Sequence, residues 1–242
     1  SNLTQLCEVV KNSGANIGFA HDPDADRLAI VSEKGEAISE EYTLVLIADF
    51  ILQSSKGPVV TNICTSQAID EVARKYNCPV KRTKVGDIHV SRFMKDCGAV
   101  VGGEGNGGVI FPPVNYARDG ITAVALILNY MAEEGVSISS LIDKLPQYYM
   151  FKRKIDISNI DFNKIKEEVY LRFDSTKLNF LDGVKIWLED GWVHIRPSGT
   201  EPILRIIGEG VTSKAADRIL NWTLNFISKF YRKRQNANNN CS

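Results

Sequence analysis

Three aspartates stand at alternate positions in the segment AHDPDADRLAIV, residues 20–31. Asp22, Asp24 and Asp26 are followed directly by Arg27, and apolar residues flank the group on both sides. Alternating acids in an extended loop bring several carboxylate oxygens onto one centre, and hard cations such as Mg²⁺ prefer oxygen ligands. This aspartate loop, residues 22–27, therefore predicts a Mg²⁺ site, and Arg27 could bind a phosphate there or brace the loop.

A solvated acidic turn and an EF-hand are the two alternatives for the aspartate loop. An EF-hand requires glycine at the sixth loop position, where this chain has Arg27, and it is flanked by helices rather than strands. We therefore reject the EF-hand. The acidic turn remains a simpler alternative, although a connection between two buried strands rarely needs three acids.

A second candidate site is the glycine-rich segment GGEGNGG, residues 102–108. Glu104 and Asn106 carry its only polar side chains, and such groups suit the neighbouring hydroxyls of a sugar. The glycines would allow the backbone to approach a ligand closely. A flexible glycine turn explains the segment equally well. A dinucleotide site is not expected, because an apolar run follows instead of a helix.

The third candidate is the segment RPSGTEP, residues 196–202, which we call the phosphate loop. Its anion-binding groups are a guanidinium, two hydroxyls and a glycine that lets backbone N–H groups turn toward an anion. These groups belong to Arg196, Ser198, Thr200 and Gly199, and Arg205 on the next strand could reinforce them. A polar β-turn is the alternative interpretation.

Lys84 and the three histidines give weaker signals. Lys84 in TKVGD could contact a phosphate, but a surface lysine beside a helix cap explains it equally well. His21, His89 and His194 show no grouping that demands a catalytic role. We expect each histidine to be structural.

The elements that must position these loops alternate between strand and helix as far as residue 149. This pattern predicts an α/β fold: a mixed, mostly parallel sheet with helices on both faces, followed by a smaller α+β C-terminal domain. Ser66 is a plausible helix N-cap, and Asp190-Gly191 predicts the turn of a hairpin.

The composition excludes several classes of protein. Lys plus Arg equals Asp plus Glu at 29 each, so no nucleic-acid or membrane partner is expected. The five cysteines never show C-x-x-C spacing, which argues against a disulfide framework or a zinc knuckle. A cytoplasmic protein is the expectation.

Taken in order, DPDADR, GEGNGG and RPSGTEP resemble three motifs of the alpha-D-phosphohexomutase superfamily. They are similar to its metal loop, with Pro23 where glycine is usual, to its sugar-recognition loop and to its C-terminal phosphate loop. TKVGD, EGNGG and RDG at 118–120 most resemble the archaeal-type branch, which includes phosphoglucosamine mutases and phosphomannomutase/phosphoglucomutases.

The resemblance implies a division into family domains. Residues 1–38 would be the end of domain 2 with the metal loop, 39–149 would be domain 3, and 150–235 would be domain 4, with a disordered tail at 236–242. The serine motif of the family, similar to Thr-Ala-Ser-His-Asn-Pro, does not occur in these 242 residues. The sequence therefore predicts a truncated chain that lacks the phosphoserine domain.

The resemblance also implies roles for the candidate residues. Asp22, Asp24 and Asp26 would hold Mg²⁺ with support from Arg27. Hexose or hexosamine phosphates and their 1,6-bisphosphates would be the ligands, and the reaction would move a phosphoryl group between the 1- and 6-positions. Sugar and phosphate would be bound by Glu104, Asn106, Lys84, Arg196, Ser198, Gly199, Thr200 and Arg205. The alternative is a non-catalytic sugar-phosphate-binding remnant.

Overall fold

The structure is a computed structural model that describes residues 3–156 and 161–238, with side chains described as far as residue 230. The chain divides into two compact units, with the boundary between Gln147 and Tyr148. The predicted α/β fold class is confirmed by the elements and their sheets. In the described residues, no helix has the length and apolar character needed to cross a membrane.

The first unit begins with a helix and a small antiparallel sheet. Its elements are α1 (Thr4–Ser13), β1 (Ile17–His21), β2 (Leu28–Ser32) and β3 (Ala37–Ile38). The sheet order is β1-β2-β3, and His21 pairs with Leu28 across the first hairpin. The aspartate loop is therefore the connection of that hairpin, between the two strands that its apolar flanks predict.

The rest of the first unit alternates between strand and helix. The elements are α2 (Glu41–Ser54), β4 (Val59–Asn62), α3 (Ala68–Lys75), β5 (Val80–Thr83), α4 (Asp87–Cys97), β6 (Val101–Glu104), β7 (Gly108–Ile110), α5 (Gly120–Glu134) and α6 (Ile138–Asp143). The sheet order is β5-β4-β6-β7, where β4 is parallel to both neighbours and β7 is antiparallel to β6. The carboxyl ends of β4, β5 and β6 therefore meet at one edge of the sheet, where α/β proteins place their ligand sites.

The glycine-rich segment is a hairpin rather than a free loop. Glu104 pairs with Gly108 across β6 and β7, so only residues 105–107 form the turn. We call this feature the glycine hairpin. The buried run that precedes it continues as a strand through the glycines. Glycine has a low strand propensity, but pairing with the neighbouring strands holds these residues in the sheet.

The predicted cap at Ser66 is wrong by one residue. Helix α3 has Gln67 at its N-cap, without a side-chain cap hydrogen bond. The Ser66 hydroxyl instead accepts a hydrogen bond from Ala68 N at 3.2 Å, within the turn that leads into the helix. Helix α5, by contrast, has a side-chain cap: Asp119 at its N-cap accepts a hydrogen bond from Thr122 N.

The second unit is an antiparallel sheet packed against two helices. Its elements are β8 (Tyr149–Asp156), α7 (Phe162–Arg172), the 3₁₀ turn Ser175–Lys177, β9 (Leu178–Asn179), β10 (Val184–Leu188), β11 (Gly191–Pro197), β12 (Ile203–Gly210) and α8 (Ser213–Asn238). The strand order is β8-β12-β11-β10-β9. One sheet face and both helices bury a common core that includes Ile186, Ile195, Ile206 and Phe226.

Two boundaries in the second unit differ from the predictions. Leu188 pairs with Gly191, so the turn residues are Glu189-Asp190 and not Asp190-Gly191. Gly191 belongs to the strand, with φ of 155°. Helix α8 extends to Asn238, so it includes the first three residues of the predicted disordered tail, and residues 239–242 lie outside the described residues.

Candidate functional site

Arg27 and a backbone turn hold the aspartate loop together. Ala25 N donates to Asp22 O at 3.0 Å, and Arg27 N donates to Asp22 Oδ1 at 3.3 Å. The Nε atom of Arg27 lies 3.4 Å from Asp22 Oδ2 and 3.7 Å from Asp26 Oδ1. Arg27 therefore braces the loop between its first and last aspartates, which is one of the two roles that the sequence suggested.

The loop also carries an unusual backbone conformation and a shifted pKa. Ala25 has φ of 55°, in the left-handed region where residues other than glycine are uncommon. Burial acts to raise the pKa of Asp22. The hydrogen bond from Arg27 N and nearby groups together lower it by a larger amount, so the net pKa lies below its usual value. Asp22 is therefore ionised at neutral pH.

The donor chemistry of the loop fits Mg²⁺, although its carboxylates do not converge on one point. Asp26 Oδ1 is buried without a hydrogen-bond partner, and Asp24 is exposed. Within residues 3–156 and 161–230, no three His, Cys, Asp or Glu side chains are grouped closely enough to hold a metal. An orphaned carboxylate oxygen beside two further aspartates is nevertheless the kind of donor set that this ion prefers.

Arg118 connects the aspartate loop to the glycine hairpin. Its Nη2 lies 2.5 Å from Asp26 Oδ2, and its Nη1 donates to Glu104 Oε2 at 3.0 Å. Asp87 Oδ2 lies farther away, at 3.9 Å from Nη2. The Arg118 side chain is only 12% exposed, so screening by water is reduced at these ion pairs.

Glu104 is buried at the carboxyl-terminal edge of the parallel strands. Its Oε1 accepts from Asn62 Nδ2 at 2.8 Å and from Gly86 N at 2.9 Å, while its Oε2 accepts from Arg118. Both oxygens are thus engaged within the protein, where the sequence predicted a sugar ligand. A carboxylate oxygen has a second lone pair, so a sugar hydroxyl could still donate to it.

Lys84 lies on the segment that Glu104 holds. The segment joins β5 to α4, and the Gly86 N–H that Glu104 accepts is two residues beyond Lys84. The Lys84 side chain is exposed, and its backbone oxygen accepts from the Thr83 hydroxyl at 2.8 Å. The structure therefore brings the predicted phosphate lysine and Glu104 to the same edge of the sheet.

A cavity of about 370 Å³ joins the aspartate loop to the glycine hairpin. Its polar lining comes from His21, Asp22, Arg27, Glu40 and Asn106. Asn106 Oδ1 also accepts from Gly108 N at 3.2 Å, which stabilises the hairpin turn. Two of the three predicted site segments thus line one cavity.

The glycines of the hairpin are required by contacts within the protein. A Cβ on Gly105 would lie 1.8 Å from Glu41 Oε2, and a Cβ on Gly107 would lie 2.4 Å from Leu28 O. Gly107 also has φ of 85°. These glycines therefore have a packing reason, because side chains and backbone of the same unit fill that space. The expectation that they also allow a ligand to approach stays a prediction.

The phosphate loop in the second unit joins β11 to β12 and is largely exposed. Ser198 N donates to Ile203 O at 2.8 Å, which closes the loop, and the hydroxyls of Ser198 and Thr200 lie 3.5 Å apart. A Cβ on Gly199 would meet no atom within 4 Å. The tip of this loop is open to solvent, as a site for a small anion requires.

Arg196 and Arg205 are directly opposite each other on β11 and β12. Arg196 Nε lies 3.8 Å from Asp182 Oδ2, and Arg205 Nη2 lies 3.5 Å from Glu201 Oε2. Arg205 Nε is buried without a hydrogen-bond partner. Like charges directly opposite destabilise a sheet, and the carboxylates of Asp182 and Glu201 each offset one of the two guanidinium charges.

Two of the histidines have contacts that explain them structurally. The His21 ring lies against Gly120, where an added Cβ would be 2.5 Å from its Cδ2. His194 is buried, and its Nε2 lies 2.5 Å from Asp182 O. Burial lowers the pKa of His194 to about 4, so this histidine is neutral at neutral pH.

Sequence reasoning missed Arg118 as a site residue. The triplet RDG at 118–120 was noticed only as part of the resemblance, and nothing in its spacing indicates a contact with Asp26. Its flanks give the structural reason: Asp119 N donates to Val109 O and Gly120 N donates to Ala25 O. These bonds bring residues far apart in the chain together.

Three family models match the chain in the order of its domains. The model described as Phosphoglucomutase/phosphomannomutase, alpha/beta/alpha domain II, matches residues 1–35. The model for domain III of the same family matches 39–149, and the model for its C-terminal domain matches 157–222. The chain belongs to the alpha-D-phosphohexomutase superfamily.

Two curated archaeal proteins illustrate the similarity. It is 39% identical over 231 residues to a phosphoglucomutase/phosphomannomutase of Thermococcus kodakarensis, covering 94% of this chain and 50% of the relative. It is 38% identical over 224 residues to a probable phosphoglucosamine mutase of Methanopyrus kandleri, covering 89% and 48%. The chain thus spans about half the length of these relatives.

Solved structures show the same fold. A phosphoglucomutase/phosphomannomutase family protein from Burkholderia thailandensis superposes with a TM-score of 0.78 at 23% identity, covering 98% of this chain and 50% of that one. An N-acetylphosphoglucosamine mutase of Aspergillus fumigatus, solved with GlcNAc-6P and magnesium, superposes with a TM-score of 0.63 at 16% identity, covering 86% and 48%.

Proposed function

We propose that this chain is the sugar-phosphate- and Mg²⁺-binding portion of a phosphohexomutase that moves a phosphoryl group between the 1- and 6-positions of a hexose or hexosamine phosphate. The observation that carries the proposal is the joining of two motifs in the first unit. Asp26 of DPDADR and Glu104 of the glycine hairpin are both bound to Arg118, and Asp22 and Asn106 line one cavity.

The aspartate loop supplies the metal ligands. Asp22, Asp24 and Asp26 would hold Mg²⁺, which when bound neutralises charge on a transferring phosphoryl group. The orphaned Oδ1 of Asp26 supports this assignment. Arg27 keeps Asp22 and Asp26 together on the loop, so that two ligands are held before the ion arrives.

The glycine hairpin and its neighbours bind the sugar. Glu104 accepts hydrogen bonds from ring hydroxyls, and the Asn106 amide accepts or donates them. Lys84 provides a positive charge at the same edge of the sheet. The buried hydrogen bonds of Glu104 fix its orientation before a substrate binds. Such preorganisation lowers the entropic cost of holding a sugar in one orientation.

The phosphate loop binds the phosphate that does not react. Arg196 and Arg205 present paired guanidinium groups, and the loop adds the hydroxyls of Ser198 and Thr200 and the open backbone at Gly199. Donors from several directions suit a phosphate on either end of the sugar, because a bisphosphate must bind in both orientations during the reaction.

Calorimetric titration with glucose 6-phosphate tests the binding assignment. We expect Arg196→Gln to weaken binding on the order of 10- to 100-fold, since a hydrogen bond to a charged group contributes about 1.5–3 kcal/mol. Arg153→Gln is the matched control, because Arg153 is opposite Ile206 on the core side of the same sheet. Equal affinities of the two variants would contradict the assignment.

A coupled assay with Mg²⁺ and catalytic glucose 1,6-bisphosphate addresses the reaction and the sugar. Glucose, mannose and glucosamine 1-phosphates are offered in turn. Turnover lost in Arg196→Gln would show that this chain alone carries the transfer. Arg196-dependent binding without turnover would support the proposal of a binding portion whose phosphoserine is elsewhere. A cytoplasmic location stays a prediction.

A further inference from the structure

Arg118 is the one side chain in the described first unit that forms ion pairs with both the aspartate loop and the glycine hairpin. Its two terminal nitrogens are divided between them: Nη2 faces Asp26 and Nη1 faces Glu104. The Glu104 side chain is 5% exposed and that of Asp26 is 23% exposed. An arginine held at its buried end by one carboxylate can fix the position of the other.

The surroundings of Arg118 fix the course of its side chain. An added Cβ on Gly108 would lie 2.3 Å from Arg118 Cδ, so the absence of a side chain at Gly108 leaves room for the arginine stem. The backbone on the C-terminal side is tied down as well, since Gly120 N donates to Ala25 O in the aspartate loop. Packing of the stem and the tied backbone therefore position the guanidinium, in addition to its ion pairs.

Asp26 uses its two oxygens differently. Oδ2 is paired with Arg118, whereas Oδ1 is buried, accepts no hydrogen bond and lies 3.7 Å from Arg27 Nε. A carboxylate held through one oxygen keeps the other available, in the way that outer partners orient the ligands of metal sites. Arg118 cannot itself compete for Oδ1 without giving up the oxygen that it holds.

We propose that Arg118 is a positioning residue that couples the sugar-binding hairpin to the metal loop: anchored on Glu104, it holds Asp26 through Oδ2 and leaves Oδ1 for the cation. This inference rests on the proposed function of the aspartate loop. Because coupling between two sites is reciprocal, a change at Glu104 alters Mg²⁺ binding even though Glu104 is not a metal ligand.

Calorimetric titration of the 242-residue chain with Mg²⁺ tests the coupling. Loss of an outer partner typically weakens metal binding 10- to 100-fold, and we expect about tenfold or more for Arg118→Lys, which keeps the charge and loses the fork. Arg118→Gln distinguishes positioning from charge. Removal of a positive charge alone would strengthen Mg²⁺ binding, whereas loss of positioning weakens it.

The matched control is Arg82→Lys. Arg82 is similarly buried, with a side chain 15% exposed, and it pairs with Asp70 and donates to backbone oxygens rather than to the aspartate loop. We expect Mg²⁺ affinity in this variant to stay within about twofold of the parent chain, as for a structural arginine that makes no contact with a metal ligand.

Glu104→Gln tests the other end of the connection without touching the loop. We expect it to weaken Mg²⁺ binding, and the effects of Glu104→Gln and Arg118→Lys to be non-additive in the double variant, since both act through one contact. Glu104→Gln also keeps the inference testable if an Arg118 variant fails to fold. Additive effects, or Mg²⁺ affinities equal to that of Arg82→Lys, would overturn it.

Amide hydrogen exchange separates this inference from the proposed function. The amides of Leu28 and Gly120 donate to Gly107 O and Ala25 O, and both bonds cross between the segments that Arg118 connects. We expect faster exchange at both in Arg118→Lys and not in Arg82→Lys. If the parent chain binds no Mg²⁺, the metal assignment fails, and unchanged exchange would then overturn the coupling as well.

Discussion

The aspartate loop with the glycine hairpin and the phosphate loop are two candidate ligand sites built in different ways. The first is interlocked: Arg118, Glu104 and Asp26 come from three separate segments and are largely buried. The second is a local turn between neighbouring strands, where Gly199 meets no atom within 4 Å. We therefore expect the site that is preorganised by long-range contacts to tolerate little change in its backbone, and the local loop to tolerate more.

The largest expected effect compares glycines of the two sites. Gly105→Ala would place a Cβ 1.8 Å from the buried Glu41 Oε2, which also accepts from Ser66 N, so neither neighbour can move freely. Overpacking of this kind costs about 1–3 kcal/mol, and we expect about 3 kcal/mol here. Urea denaturation followed by circular dichroism measures the loss.

Gly199→Ala is the control for that comparison. Its added Cβ enters open space, so we expect a change in unfolding free energy within about 0.5 kcal/mol, as for a typical surface substitution. Similar losses in the two variants would break the distinction between an interlocked site and a local loop.

An intermediate effect is a pH dependence of stability that differs between the two units. Burial lowers the pKa of His194 to about 4 in the folded chain. In the unfolded chain this histidine binds a proton near pH 6.5, whereas in the folded chain it stays neutral until the pH is much lower. Stability from this group is therefore lost as the pH falls from 6.5 toward 4. At pH 5 the loss is about 2 kcal/mol, from 1.36 kcal/mol per pH unit.

His194→Gln should remove that dependence, and His89→Gln, at an exposed position on α4, should leave it unchanged. In the first unit the hydrogen bond from Thr122 N lowers the pKa of Asp119, so its stabilising contribution is lost only at pH values below about 3.8. Denaturation at pH 7.5 and pH 5 checks the sign. A parent chain as stable at pH 5 as at pH 7.5 would contradict it.

The smallest expected effect concerns the backbone of the aspartate loop. Ala25 is in the left-handed region at φ of 55°, which costs more for alanine than for glycine. We expect Ala25→Gly to stabilise the fold by about 0.5 kcal/mol after the entropic cost of glycine. Ala29→Gly in β2 is the control and should destabilise. A loss of stability in Ala25→Gly would show that the loop needs its alanine.

The sequence by itself determined the elements and the three motif segments. Apolar periodicity and local caps decide helices and strands, which is why α5 begins after Asp119 and the strands around the aspartate loop were predicted. The fold class followed from that alternation. The sequence also indicated the phosphate loop as a candidate site, because its donors are close together in the chain and need no distant partner.

Only the tertiary structure decided how the motifs meet. Arg118 contacts Asp26, although the two residues are 92 positions apart in the sequence (118 − 26), and no local pattern encodes that contact. The same reason explains the glycine hairpin, whose glycines are required by contacts with Glu41 and Leu28. Packing between distant segments is set by the whole core, so a sequence pattern can place a residue on a loop but cannot choose its partner.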